Sequence, residues 1–225
     1  MAFNNWNVIS ETGDYFARLS PADWGPSPGN PNELSVRQKE YNTTSQGIGA
    51  VTTIPEFVNG EVGSQQLEVW LWTSSASWGS FAHKRAFYFY LRTGNAAFDA
   101  GYRFYLNSYG GNAAEIYAGI YKRVGGSWSA VVGPSYFNHP SAKNFAGEWN
   151  RWRFSAITNI TTGNVALKTE LYDDAAVTPA WVTVRSYTDT SSVHEKGNAG
   201  FSIGCGQGVP IGVSNLIIQA VPDEL

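Results

Sequence analysis

The chain has 225 residues, of which 15% are charged and 15% aromatic, with 24 glycines and a net charge of −3 from 15 basic and 18 acidic residues. The charges are interleaved with no basic block to neutralise phosphates, which argues against a nucleic-acid partner. Cys205 is the single cysteine, so an intrachain disulfide is excluded, and no window approaches a membrane span in length. The opening MAFNNWNVISETGDY has neither a basic nor an apolar leader region, so an unprocessed protein folding in a reducing cytosol, without membrane insertion, is expected.

In chain order, residues 1–45 read as an N-terminal arm. SPADWGPSPGNPN (20–32) is rich in prolines that remove ladder donors, which predicts a loop or docked segment there. Phe3, Trp6, Tyr15, Phe16, Leu19 and Trp24 are too many large apolar groups for a disordered tail. The arm is expected to dock against its own body or a neighbour, with Phe3, Trp6, Tyr15, Phe16 and Trp24 as candidate interface residues.

From Gln46 onward the pattern alternates. QGIGAVTTI, QQLEVWLWT, RAFYFYLR, AGYRFYLNS, AAEIYAGIYKR, WSAVV, WNRWRFSAI, NVALKTELY, AWVTVRSY, NAGFSIG and GVSNLIIQ are strand-length segments separated by turn signals such as SYGGN, RVGGS, TTGN and EKGN. No helical period is sustained. Residues 46–225 therefore read as one all-β domain, an antiparallel two-sheet sandwich or jelly roll of about a dozen strands.

GEWNRWRFSAI (147–157) poses the question whether Arg151 and Arg153 bind an anion. Alternation puts Trp152, Phe154 and Ala156 on one face and both arginines on the other. The next segment divides likewise, with Val165, Leu167 and Leu171 against Lys168 and Glu170. A hairpin that joins the apolar faces must set Arg151 or Arg153 opposite Glu170, a cross-strand ion pair that needs no ligand. Trp152, Phe154, Val165, Leu167, Val182 and Val184 are the expected core.

Chemistry-bearing clusters are sparse. His83, His139 and His194 have no metal-ligand spacing, and Cys205, in FSIGCGQG, reads as a buried thiol rather than a nucleophile. Glycoside cleavage needs two acids on one sheet face. QLEVWLW offers Glu68 alone, so no enzyme activity and no catalytic residue is expected. No cofactor is implied. A structural zinc site is not expected with one cysteine, and Ca2+ is the metal that Asp173 and Asp174 could hold through oxygen, against the commoner outcome of a solvated turn. Trp70 and Trp72 share the face of Glu68, and Tyr88 and Tyr90 oppose Phe87 and Phe89, so both strands are expected at sheet centres and covered on both sides. Core or interface packing is the first expectation for these rings and for Tyr102–Tyr105 and Tyr117–Tyr121; a sugar-binding face is the second. Trp24, Trp78 and Trp128, near turns, are the glycan-binding candidates.

From Gly47 to Ala220, FVNGEVGSQQLEVWLW, GYRFYLNS with EIYAGIYKRVGG, GEWNRWRFSA with NVALKTELYDD, PAWVTVRSYTDT, NAGFSIG and VSNLIIQ follow one another in an order that resembles the concanavalin A-like jelly roll. The resemblance is to laminin G-like domains and to a related domain of unknown function found beside bacterial sugar hydrolases. Ser214-Asn215 stands where the closing strand commonly carries Asp-Asn, and the acid motif of hydrolytic members is absent. The resemblance implies a binding or structural module, either lectin-like or a bacteriophage virion protein. A non-enzymatic virion component is expected, for capsid decoration or associated with a tail or fibre and assembled in a bacterial host cytoplasm. Its partners would be other virion proteins or further copies of itself, with surface glycans as a second class. A lectin-like domain and a glycoside hydrolase or lyase with an unrecognised site are the alternatives.

Overall fold

The period-two alternation becomes two antiparallel sheets in the computed structural model, which describes residues 6–12, 16–17, 36–38, 46–73, 85–94, 97–107, 113–191, 194–205 and 211–225. The elements are β1 (Trp6–Thr12), β2 (Phe16–Ala17), β3 (Val36–Gln38), β4 (Gln46–Thr52), α1 (Pro55–Val58), β5 (Gln65–Thr73), β6 (Arg85–Thr93) and β7 (Tyr102–Asn107). They continue as β8 (Glu115–Val124), β9 (Ser127–Asn138), β10 (Trp149–Thr158), β11 (Val165–Asp173), β12 (Ala180–Asp189), β13 (Asn198–Cys205) and β14 (Ile211–Ala220). The first sheet runs β1-β4-β13-β6-β7-β8-β9 and the second β12-β11-β10-β5-β14-β3-β2. Among the described residues the single helix, α1, has four residues.

Strands β4 to β14 coincide with the segments that alternation picks out. Within residues 1–45, β1 pairs with β4 and β3 with β14. Trp6 is 3% exposed and meets Phe201 edge-on at 5.6 Å, so this ring is spent on the protein's own core. WSAVV proves too short a reading, because β9 continues through Gly133 and Pro134 to Asn138. It is an edge strand bulged opposite Gly119, where among the described residues no outer strand needs the missing proline N–H. The turn RVGGS has Gly125 at φ 57 and Gly126 at φ 81, as a two-residue hairpin loop requires.

The core lies between the sheets. Phe89 of the first and Phe154 of the second stack at 4.4 Å, with Phe104 against Phe154 at 5.6 Å. Trp152, Phe154, Val165, Leu167 and Val184 are buried as expected, and each such side chain is worth about 1.5–3 kcal/mol. Val182 is only half-buried, since β12 is an edge strand. β5 and β6 are the central strands, but they are not covered on both sides. Their inner residues are buried whereas Trp70, Trp72 and Tyr88 stay half-exposed, because a two-layer sandwich covers one face of each sheet.

Polar clasps close the ends. Lys122 of β8 and Tyr102 of β7 both reach Asp189 at the end of β12. Arg185 of β12 donates to the carbonyls of Ala118 (3.0 Å) and Tyr136 (3.1 Å) on the opposite sheet. Arg92, at φ 58 and 1% exposed, donates to the His194 carbonyl, the Ala156 carbonyl and Thr158 Oγ1.

Candidate functional site

The strand order β6-β7-β8-β9 decides which side chains meet on the outside of the first sheet. In each of β6, β7 and β8 the residues of one parity are core: Phe87 and Phe89, Phe104 and Leu106, Ile116 and Ile120. The other parity must then face outward. Register sets Tyr88 beside Tyr105 and Arg103 beside Tyr121, while Trp128 of β9 pairs with Arg123 of β8.

The outcome is a continuous field of rings. Tyr88 and Tyr105 stack at 5.3 Å, and Tyr105 meets Tyr117 and Tyr121 edge-on at 6.5 and 6.1 Å. Tyr117 leads on to Tyr136 at 5.1 Å. Arg103 sits among them, its guanidinium carbon 4.4 Å from the centre of the Tyr121 ring, 4.8 Å from Trp128 and 5.2 Å from Tyr88. Arg123 approaches Trp128 at 5.7 Å. Tyr90 is covered by Phe98, stacked on it at 3.9 Å, and is buried. Tyr88, Tyr105, Tyr117, Tyr121 and Trp128 remain half-exposed, and Tyr136 is exposed.

Burial holds the phenols of Tyr88, Tyr105 and Tyr121 in their neutral form. Burial raises the pKa of Tyr88, Tyr90 and Tyr121, and pushes that of Tyr105 up to about 12, so the phenols hold their protons and can donate hydrogen bonds. Strands β6 to β9 contain one carboxylate in all, Glu115 at the start of β8. A pair of acids suited to glycoside cleavage is therefore not built on them.

The outer face of the second sheet is organised differently. Arg153, one of the two arginines the hairpin argument allows, stands opposite Glu170, and its Nε donates to Glu170 Oε2 at 2.8 Å. Arg151 pairs with Glu68 at 2.5 Å, so the acid singled out in QLEVWLW is bound to a guanidinium. Both arginines lie over Trp181, at 5.3 and 4.2 Å.

Of the glycan-binding candidates, Trp128 falls within the ring field, while Trp24 and Trp78 lie outside the described residues. Phe3 and Tyr15 also lie outside them, and Phe16 is placed only as a residue of β2. Asp173 is buried, where a solvated turn was expected. It accepts hydrogen bonds from Ser141 (2.7 Å) and the Ala175 N–H (3.2 Å), while Asp174 pairs with Lys143 at 3.0 Å. Their oxygens are thus engaged, and among the described residues no group of three His, Cys, Asp or Glu is arranged for a metal. His139 is buried, which pulls its pKa below the ordinary range, and His194 Nε2 lies 2.7 Å from the Arg123 carbonyl. Cys205 closes β13; its side chain lies outside the described ones. Sequence reasoning did not single out Arg103. The signal was present in GYRFYLNS, where alternation sets Arg103 and Tyr105 on one face opposite Tyr102 and Phe104.

No family model matches the chain, and no curated protein sequence matches it. Solved structures do. An endo-1,3-beta-glucanase from Streptomyces sioyaensis matches with a TM-score of 0.58 at 11% identity, covering 97% of this chain and 90% of that one. The CBM2 module of Lactobacillus casei BL23 phage J-1 evolved Dit matches at 0.56 and 11%, covering 98% of each chain. A legume lectin-like domain from Entamoeba histolytica matches at 0.50 and 12%, covering 97% and 91%. The fold is the concanavalin A-like jelly roll. At these identities the likeness is one of fold, and one enzyme and two other modules share it.

Proposed function

We propose that this jelly roll is a non-catalytic carbohydrate-binding component of a phage particle, and that the ring-lined outer face of the first sheet is its binding surface. The observation that carries the reading is the run of half-exposed rings Tyr88, Tyr105, Tyr117, Tyr121 and Trp128 on one sheet face. A flat aromatic face matches the apolar C–H side of a pyranose, and the neutral phenols beside it supply donors for the hydroxyls. The single carboxylate of β6 to β9 supports binding without cleavage. The phage setting draws support from the nearly complete mutual coverage with the phage CBM2 module. Docking to other virion proteins would use the edge strands β9, β12 and β2.

The test is a panel of soluble polysaccharides measured by calorimetry with the full chain and with Trp128→Ala and Tyr105→Ala. Binding by the parent, weakened about tenfold or more in each variant, is the expected result. Release of reducing sugar from any polymer, abolished by Glu115→Gln or Glu68→Gln, would replace the reading with a hydrolase. Fixed stoichiometry in purified phage particles is expected, and absence from them would remove the virion part.

A further inference from the structure

Both outer faces carry arginine on aromatic rings, and they differ in one respect. On the outer face of the second sheet Arg151 is paired with Glu68 and Arg153 with Glu170. On the first sheet Arg103 and Arg123 have rings but, among the described residues, no carboxylate in ion-pair contact. Arg123 donates from Nη1 to the Phe98 carbonyl at 2.9 Å, and the Nε atoms of both arginines are buried without a hydrogen-bond partner. Stacking on rings orients a guanidinium without neutralising it, and arginine cannot give up its proton. Glu115 stands at the opposite end of β8 from Arg123. Among the described residues the ring field therefore carries a positive pole around Arg103, Arg123 and Trp128 with no carboxylate paired to it, in a protein whose net charge is −3.

We propose that this face selects an anionic glycan, in which a sugar ring stacks on Tyr105, Tyr121 or Trp128 while a carboxylate or phosphodiester oxygen accepts hydrogen bonds from Arg103. The proposal rests on the glycan-binding reading above and names its ligand class. Arg103 is half-exposed and shares a side-chain hydrogen bond with Tyr90; a guanidinium can meet a planar anion with two N–H groups at once, which a lysine does not offer. Rings fixed on β6, β8 and β9 hold that fork before the ligand arrives, so little ordering cost falls on binding.

The experiment titrates the full chain with two acidic polymers, polygalacturonate and a glucosylated poly(glycerol phosphate). Each is compared with a neutral counterpart, fully methyl-esterified polygalacturonate and a neutral glucan. At least one acidic polymer is expected to bind about tenfold or more tightly than its neutral counterpart, with the preference shrinking as salt is added. Which acidic polymer responds tells a carboxylate from a phosphodiester source. Arg103→Gln should bring the acidic-to-neutral ratio close to one, and Arg103→Lys should keep part of it. The ratio is the readout because a loss of folded protein lowers both affinities together. Equal binding of acidic and neutral polymers, or a ratio unchanged in Arg103→Gln, overturns the anionic selectivity and leaves glycan binding standing. Failure of every polymer to bind overturns both.

Discussion

Lys122 and Asp189 meet across the sandwich at 2.8 Å, from β8 of one sheet to β12 of the other, with side chains 8% and 3% exposed. The Tyr102 hydroxyl donates to the same carboxylate at 2.7 Å and the Ser191 N–H at 3.0 Å. The two charges lie almost out of water, so removing one strands the other. Lys122→Met is expected to cost about 3–5 kcal/mol in urea unfolding, and Lys122→Met with Asp189→Leu should recover most of it. A double variant no more stable than the single one would show that the pair acts through shape rather than charge.

The same carboxylate makes stability depend on pH. Burial works to raise the Asp189 pKa, but hydrogen bonds from Lys122, Ser191 and Tyr102 outweigh it and hold the group at about 2, against an ordinary 3.8. The unfolded chain then binds the proton more readily than the native one. This contribution is complete above the unfolded value and is lost as pH falls through about 4 toward about 2. Unfolding free energies measured across that window should fall less steeply in Asp189→Asn than in the parent, by about 1–2 kcal/mol in total.

Arg153 and Glu170, on the outer face, contrast with that pair. They are partly exposed, at 23% and 13%, and their bond adds to the stacking of Arg153 on Trp181. Glu170→Gln is expected to lower stability by less than about 1 kcal/mol, with a smaller effect in high salt. A loss comparable with that of Lys122→Met would mean that the outer face is covered more deeply than its exposure indicates.

This contact also marks how far the sequence can be read. Period-two alternation plus a short hairpin determine which faces of β10 and β11 meet, so residue spacing alone sets one of Arg151 and Arg153 opposite Glu170, and the structure selects Arg153. The same logic places Arg103, Tyr105 and Tyr121 together, since β6, β7, β8 and β9 are consecutive neighbours. It does not say which rings end up covered. Tyr90 and Tyr88 share a face of β6, yet Tyr90 is buried by Phe98, a residue of the following loop. Trp6 is buried because β1 pairs with β4, a contact between segments that no local pattern joins. Nor does any local signal place β13 between β4 and β6, which is a crossover determined by the closure of the whole sandwich.

Gly101, the residue before β7, links the core clasps to the ring field. It has φ 85, and a Cβ there would overlap the carbonyl oxygens of both Leu91 and Arg92. Its own carbonyl accepts the Arg123 N–H at 3.1 Å. Any side chain at this position must push β7 away from β6, and the displacement would reach Tyr102, which anchors Asp189, and Arg103, the centre of the ring field. Gly126, in the β8-β9 turn, is the control: its φ is 81, but nothing lies within 4 Å of a Cβ built on it. Gly126→Ala should cost only the left-handed backbone penalty, about 1–2 kcal/mol. Gly101→Ala carries that penalty plus the clash, so it should cost more than about 3 kcal/mol or fail to yield folded protein. Equal unfolding midpoints for the two variants would mean that β6 and β7 can part at this end without loss, and Arg103 would then lack the rigid seat described here.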